Sequence, residues 1–263
     1  MSLMGRDPNG AVPDTTIQDT AVPDAAIRET AIPDVTTRAA FLAERRRTTE
    51  DRYDRRFAPT YDQAWGEITS SHAAMLQRLL DATPSGGEIL DAACGTGKYW
   101  PAILASGRRV AGIDQSAGML AVGAAKHPDV PTRRLALQDL DDRQRFDAVI
   151  CVDALEFVGP EDWPDVVRRL RDAAKRAAPL YLTVELFEPD DADASGQDLS
   201  EALASARAHG QPVVAGEHLN DEGGYHYSPE SQQVLSWLAA AGIVVDDTLE
   251  GDSYLHVLGH RST

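Results

Sequence analysis

EILDAACGTGKYW, Glu88 to Trp100, is the stretch on which the fold turns. It opens as an apolar strand, reaches an acid at Asp91, and runs into a turn carrying Gly95 and Gly97. A helical pattern follows. Glycines at such a turn let the backbone approach a bound group where a Cβ would clash. A turn of this kind, at the carboxyl end of a parallel strand, is where doubly wound sheets hold ligands. Two phosphate-binding readings fail on single residues. The dinucleotide fingerprint wants a third glycine where Trp100 stands, and the P-loop wants Ser or Thr after Gly97-Lys98, where Tyr99 stands. Asp91 would repel a phosphate and would suit an ammonium group.

Outward from this turn, short apolar runs alternate with helical spacing. Strands are predicted at 88–92, 109–113, 132–137, 148–152 and 180–184, with helices at 99–105, 116–125 and 164–177. A helix at 229–241 and two closely spaced strands, 243–249 and 254–259, end the chain. The pattern predicts a parallel sheet with crossover helices on both faces and an antiparallel final pair. Before the turn, residues 38–56 are charged and helical in pattern. Pro59 interrupts them, and a second helix is predicted over about 66–82, with Ile68, Met75, Leu76, Leu79 and Leu80 at helical spacing.

Two regions depart from this order. Residues 1–40 repeat a Val/Ile-Pro-Asp unit at Pro13-Asp14, Pro23-Asp24 and Pro33-Asp34, with a period of about ten. Three such units cannot bury a core. They read as a flexible or extended arm, or as one that packs on a partner subunit in a homodimer or covers the site. Residues 41–263 read as the main domain, with cap helices over 41–82 and an Asp/Ala/Ser/Gly-rich insertion at about 186–227 that carries a short helix near 199–208.

Charge narrows the partners. Lys and Arg number 25 against 42 Asp and Glu, a formal net charge of −17. Nucleic acid and anionic membrane surfaces are disfavoured as partners. No apolar run suits a membrane span, and the N-terminus has no signal-peptide core. Cys94 and Cys151 lie in apolar contexts with no metal-ligand spacing. They read as reduced buried thiols of a cytoplasmic protein, and no metal site is expected.

Three further segments appear on schedule. RRVAGIDQS places Asp114 after the second strand, about twenty residues beyond the turn, where a carboxylate can accept both hydroxyls of a ribose. LALQDLDD places Gln138, Asp139 and Leu140 after the third strand. FDAVICVDALEFV surrounds the fourth. Together with ILDAACGTG, they resemble the class I S-adenosylmethionine-dependent methyltransferases, of a bacterial small-molecule type, over about 57–259. Ala93 departs from the family pattern, which usually has its first glycine there.

The resemblance implies a seven-stranded sheet in the order 3-2-1-4-5-7-6, with S-adenosylmethionine as cofactor and S-adenosylhomocysteine as product. It implies that Asp91 organises the cofactor's amino group and that Ala93, Cys94, Gly95 and Gly97 line its tail. Asp114 would hold the ribose, with Gln115 and Met119 near the adenine. Gln138, Asp139 and Leu140 would read the adenine edge, Val152 would face the methionine end, and Tyr61 would close over the cofactor.

The segment after the fourth strand, Val152 to Glu156, lacks the Pro-Pro of DNA and protein-glutamine N-methyltransferases, leaving a small-molecule acceptor methylated at oxygen or nitrogen. Candidate catalytic residues are His226, a base suited to neutral pH, and Glu156 and Glu185, which follow strands four and five. Trp100, Tyr225 and Tyr227 are candidate pocket walls. The alternative reading is a binding or regulatory protein of the same fold.

Overall fold

The computed structural model describes residues 38–186, 199–219 and 224–262, with the backbone alone at 199–202. The repeats within 1–37 and two stretches of the expected insertion, 187–198 and 220–223, lie outside the described residues.

A seven-stranded sheet forms the centre. It is built from β1 (Glu88–Ala92), β2 (Arg109–Asp114), β3 (Thr132–Arg134), β4 (Ala148–Cys151), β5 (Pro179–Glu185), β8 (Ile243–Gly251) and β9 (Tyr254–Arg261). The order is β3-β2-β1-β4-β5-β9-β8. The first five strands are parallel, and β9 runs antiparallel to both β5 and β8. This is the expected order. The numbering is offset because β6 (Glu217–Leu219) and β7 (Tyr225–Tyr227) pair in a separate small sheet. That hairpin was not legible in the sequence: its strands are three residues long, too short to show an alternation.

Helices cover both faces, as the double crossover requires. On one face, Met75, Leu76, Leu79 and Leu80 of α3 (Ser70–Ala82) and Trp100 and Ile103 of α4 (Trp100–Ala105) pack on Ile89, Ile150 and Tyr181. On the other, Trp163, Val166, Val167 and Leu170 of α6 (Trp163–Ala173) and Val234 and Leu238 of α8 (Ser231–Ala240) pack on Leu90, Val149 and Leu182. Neighbouring strand residues thus serve opposite cores, as the pleat demands. Two-sided burial is why these strands read as continuous apolar runs.

Boundaries shift where tertiary pairing competes with local pattern. The third strand ends at Arg134 rather than 137, because Leu137–Asp139 turns in a 3-10 coil. Helix α6 stops at Ala173, since Ala174 bridges to Phe146 in extended conformation. The cap region is α1 (Arg38–Arg52), a π turn at Tyr53–Phe57, then α2 (Tyr61–Trp65) and α3. The helix expected from 66 starts instead at Ser70, after the extended Thr69.

Candidate active site

Carboxyl ends of β1, β2 and β4 open together onto a cleft of about 890 Å³, its mouth included. The turn after β1 forms its floor. Cys94 N–H donates to Ile113 O at 2.9 Å, and Gly97 N–H donates back to Cys94 O at 2.9 Å. Gly95 has φ +52 and Gly97 φ +78, so both glycines take a conformation that side chains rarely adopt. Ala93 does so as well, at φ +64. The family's usual glycine would sit there without strain.

Asp114 ties this turn to β2. Its Oδ2 accepts from Gly95 N–H and its Oδ1 from Ser116 N–H, each at 2.8 Å. Burial nevertheless pushes its carboxyl up to about 6, against those two hydrogen bonds. Asp91 is more confined. Its Oδ2 accepts from Trp100 Nε1 at 2.9 Å, and burial, reinforced by nearby Asp114, pushes it up to about 7 despite that bond. A buried acid with one neutral donor is poorly satisfied as an anion. A cation brought into the cleft would favour its charged form.

Trp100 is not a cleft wall. Its indole is fully buried beneath the turn, in space that three glycines leave open. A Cβ on Gly97 would lie 2.4 Å from the indole, and one on Gly112 or Gly123 would lie at 2.8 or 3.2 Å. Tyr225 and Tyr227 also belong to the core.

The cleft brings together Tyr61, Asp91, Ala93, Cys94, Gly95, Asp114, Gln115, Met119, Gln138 and Val152. It leaves out three expected residues. Gly97 faces Trp100. The 3-10 turn carries Asp139 to the surface and Leu140 into the core, so the wall here is Leu135 to Gln138.

The cap region supplies what the sequence did not reveal. Tyr53 lines the cleft, with its ring 5.5 Å from Phe157 and 6.3 Å from Tyr61. Asp54 holds this segment down: its Oδ1 accepts Gly118 N–H at 2.9 Å and the Ser116 hydroxyl, at the start of α5 (Ala117–Lys126). Asp62 accepts from Thr96 Oγ1 at 2.5 Å and pairs with Lys126 at 2.6 Å, pinning α2 to the glycine turn. Lys98, Tyr99 and Asp153 complete the wall. In the sequence Lys98 reads only as the lysine of an incomplete P-loop.

None of the three candidate catalytic residues lines the cleft. His226 Nδ1 is 3.1 Å from Glu185 Oε2, and its ring meets Phe157 edge-on at 4.9 Å. The dyad thus backs onto a wall residue. Burial works to raise Glu185, but the His226 hydrogen bond and charge hold it below the usual carboxylate value. Glu156 is buried, and burial, aided by Glu185 and Asp153, pushes it well up. Its Oε2 has no hydrogen-bond partner among the described residues.

Metal-ligand types meet at one point among the described residues: His72, Asp252 and His256, with ligand atoms within 4.8 Å of one another. Their ring nitrogens are committed to hydrogen bonds. His256 Nε2 donates to Gly251 O and Nδ1 accepts from the Tyr181 hydroxyl, while His72 meets Thr69 and Asp153.

Residues 89–177 match the model of a family described as a methyltransferase domain. The match runs from β1 to the loop before β5. The domain's fold recurs in solved structures. Magnesium protoporphyrin IX methyltransferase from Synechocystis PCC 6803 with bound SAM aligns at a TM-score of 0.59 and 15% identity, over 83% of this chain and 97% of that one. The 1,6-didemethyltoxoflavin-N1-methyltransferase of Burkholderia thailandensis, with bound 1,6-didemethyltoxoflavin and S-adenosylhomocysteine, aligns at 0.57 and 15%, over 86% and 89%.

In sequence, this chain is 33% identical over 104 residues to dTDP-3-amino-3,6-dideoxy-alpha-D-glucopyranose N,N-dimethyltransferase of Streptomyces fradiae, 38% of this chain and 41% of that protein. It is 28% identical over 105 residues to dTDP-4-amino-2,3,4,6-tetradeoxy-D-glucose N,N-dimethyltransferase of Saccharopolyspora spinosa, 40% of this chain and 42% of that protein. The alignment spans about two-fifths of the length of these curated relatives. No helix among the described residues is long and apolar enough to cross a membrane.

Proposed function

We propose that this protein transfers a methyl group from S-adenosylmethionine to a nitrogen of a small amine-bearing acceptor. The observation that carries the reading is a pair of acids, buried Asp91 and half-buried Asp114, set on either side of a glycine turn that opens into the cleft. The cleft residues fit the cofactor. Asp114 keeps lone pairs free for ribose hydroxyls after its two backbone bonds. Leu135, Leu137 and Met119 offer an apolar berth for a base, with Gln115 and Gln138 beside it. Asp91 suits the ammonium end and Lys98 the carboxylate. Gly97, Asp139 and Leu140 act from outside: Gly97 shapes the turn, and the other two shape the loop below the base.

When bound, the cofactor supplies an activated methyl group on a sulfonium. The protein's tasks are to align the acceptor, exclude water and stabilise the charge that develops on it. Tyr53, Tyr61 and Phe157 form the aromatic cover that excludes water. Nitrogen is favoured over oxygen because acids crowd the acceptor end. Asp153 lines the cleft, and burial, with Glu185 and Asp153 close by, pushes the Glu156 carboxyl up. Amines donate to carboxylates and gain positive charge on methylation. His226, held by Glu185 behind Phe157, is proposed to set that ring against the acceptor. The relatives that methylate amino sugars support the same choice.

Calorimetry with S-adenosylhomocysteine tests the cofactor site, and transfer of labelled methyl to paired amino and hydroxy sugars, as nucleotides and free, tests the acceptor. Saturable binding and label on the amino member of a pair are expected. No binding would remove the reading, and label confined to hydroxyl acceptors would overturn the choice of nitrogen.

A further inference from the structure

We propose that Asp153, set in place by His72, is the group that receives an N–H of the acceptor. This rests on the cleft being the cofactor and acceptor site. Asp153 ends the turn out of β4 and lines the cleft between Val152 and Ala154. Its backbone is left-handed, at φ +52, a conformation uncommon outside glycine. Its N–H donates to Thr183 Oγ1 at 2.8 Å, on the fully buried face of β5. The residue is therefore locked at an energetic cost, and such strain clusters where a side chain must be aimed.

The carboxylate is also gripped from behind. His72 Nε2 lies 3.1 Å from Oδ1, and His72 is buried in α3. On the far side of the ring, Nδ1 lies 2.7 Å from Thr69 Oγ1. The Thr69 hydroxyl has one hydrogen, and it goes to Asp252 Oδ2 at 2.7 Å, since an ionised carboxylate only accepts. Nδ1 must then donate to Thr69, and Nε2 must donate to Asp153. The pattern requires hydrogen on both ring nitrogens, so His72 is an imidazolium. Its neighbour His256, whose ring is 4.7 Å away, is disfavoured as a cation by burial and by His72's charge, and it takes a neutral hydrogen-bond pattern.

Three residues, His72 of α3, Thr69 before it and Asp252 of the β8–β9 hairpin, thus serve one carboxylate. Lys98 Nζ pairs with Asp153 Oδ2 at 3.7 Å, beyond hydrogen-bond range, which leaves its N–H groups available to the cofactor's carboxylate. Asp153 and His72 then form a neutral pair, with lone pairs of Asp153 left for a donor in the cleft. In the transfer, the lone pair of a neutral amine forms the new N–C bond. The C–S bond breaks with its electrons on sulfur, and the nitrogen becomes a cation. Its N–H bond to Asp153 strengthens as that charge grows, which lowers the barrier rather than merely binding the acceptor. The proton leaves to water with the product. Asp153 is the group that touches the acceptor; His72 is a positioning residue.

Four variants and three readouts test this. In the complex with S-adenosylhomocysteine, ¹⁵N-detected imidazole signals of His72 should show both nitrogens protonated, and Thr69→Ala or Asp153→Asn should perturb one nitrogen each. A singly protonated ring would overturn the arrangement. Asp153→Asn should leave S-adenosylhomocysteine affinity within about threefold and lower kcat about 10–100-fold, the range for losing a hydrogen bond to a charged group. His72→Gln, which can still donate to Asp153, should keep more of kcat than His72→Ala. Normal turnover in Asp153→Asn, or a tenfold loss of S-adenosylhomocysteine affinity, would refute the acceptor role. Failure of the unaltered protein to bind S-adenosylhomocysteine would instead sink the underlying reading of the cleft.

Discussion

Replacing Asp91 by asparagine should stabilise the unliganded protein and weaken cofactor binding at the same time. The carboxyl is buried and is pushed up from 3.8 to about 7, chiefly by burial. Its native value lies above its unfolded one, so the native state holds the extra proton between about pH 4 and 7. The stability this contributes is complete below pH 4 and is lost as pH rises through 7. At 1.36 kcal/mol per pH unit, the ionised form costs the fold about 4 kcal/mol at pH 8. Asparagine removes that cost and keeps an oxygen for Trp100 Nε1, but it buries an amide donor, which returns about 1–3 kcal/mol. The net gain is about 1–3 kcal/mol at pH 8, and it should vanish near pH 5, where the native carboxyl is already protonated. For a domain of this size that is roughly 3–8 °C in Tm. Loss of the charged partner should weaken S-adenosylhomocysteine about 10–100-fold. Urea melts at pH 5 and 8, with calorimetry on the same samples, measure both. A variant equally destabilised at both pH values, with unchanged affinity, would refute the idea of a strained acid held for a cation.

Two substitutions in the turn should move in opposite directions. Ala93→Gly relieves a φ of +64 and should raise stability by about 0.5–1 kcal/mol in urea unfolding, the strain released minus the added freedom of the unfolded chain. Gly97→Ala places a Cβ 2.4 Å from the Trp100 ring and should cost about 2–4 kcal/mol, with a shift in tryptophan emission as the indole leaves Asp91.

The sequence by itself determined the sheet and much of the cleft lining. Apolar runs such as Glu88–Ala92 and Ala148–Cys151 are buried on both faces, so their pattern is local and continuous. Asp91, Gly95 and Asp114 were legible because each sits at a fixed distance from the end of its own strand, where the crossover topology places it in the cleft. Tertiary structure alone decided the rest. Trp100 reads as a wall until Gly97, Gly112 and Gly123 are seen to make room for it below the turn. Asp139 and Leu140 are turned away by a three-residue coil that no periodicity announces. Tyr53, Asp54, Thr69 and His72 look like cap residues until the chain folds them over strands that lie tens of residues on. Tyr53 meets Phe157 ring to ring, the others bond to Ser116, Gly118, Asp153 and Asp252, and contacts of that sequence separation leave no trace in any local window.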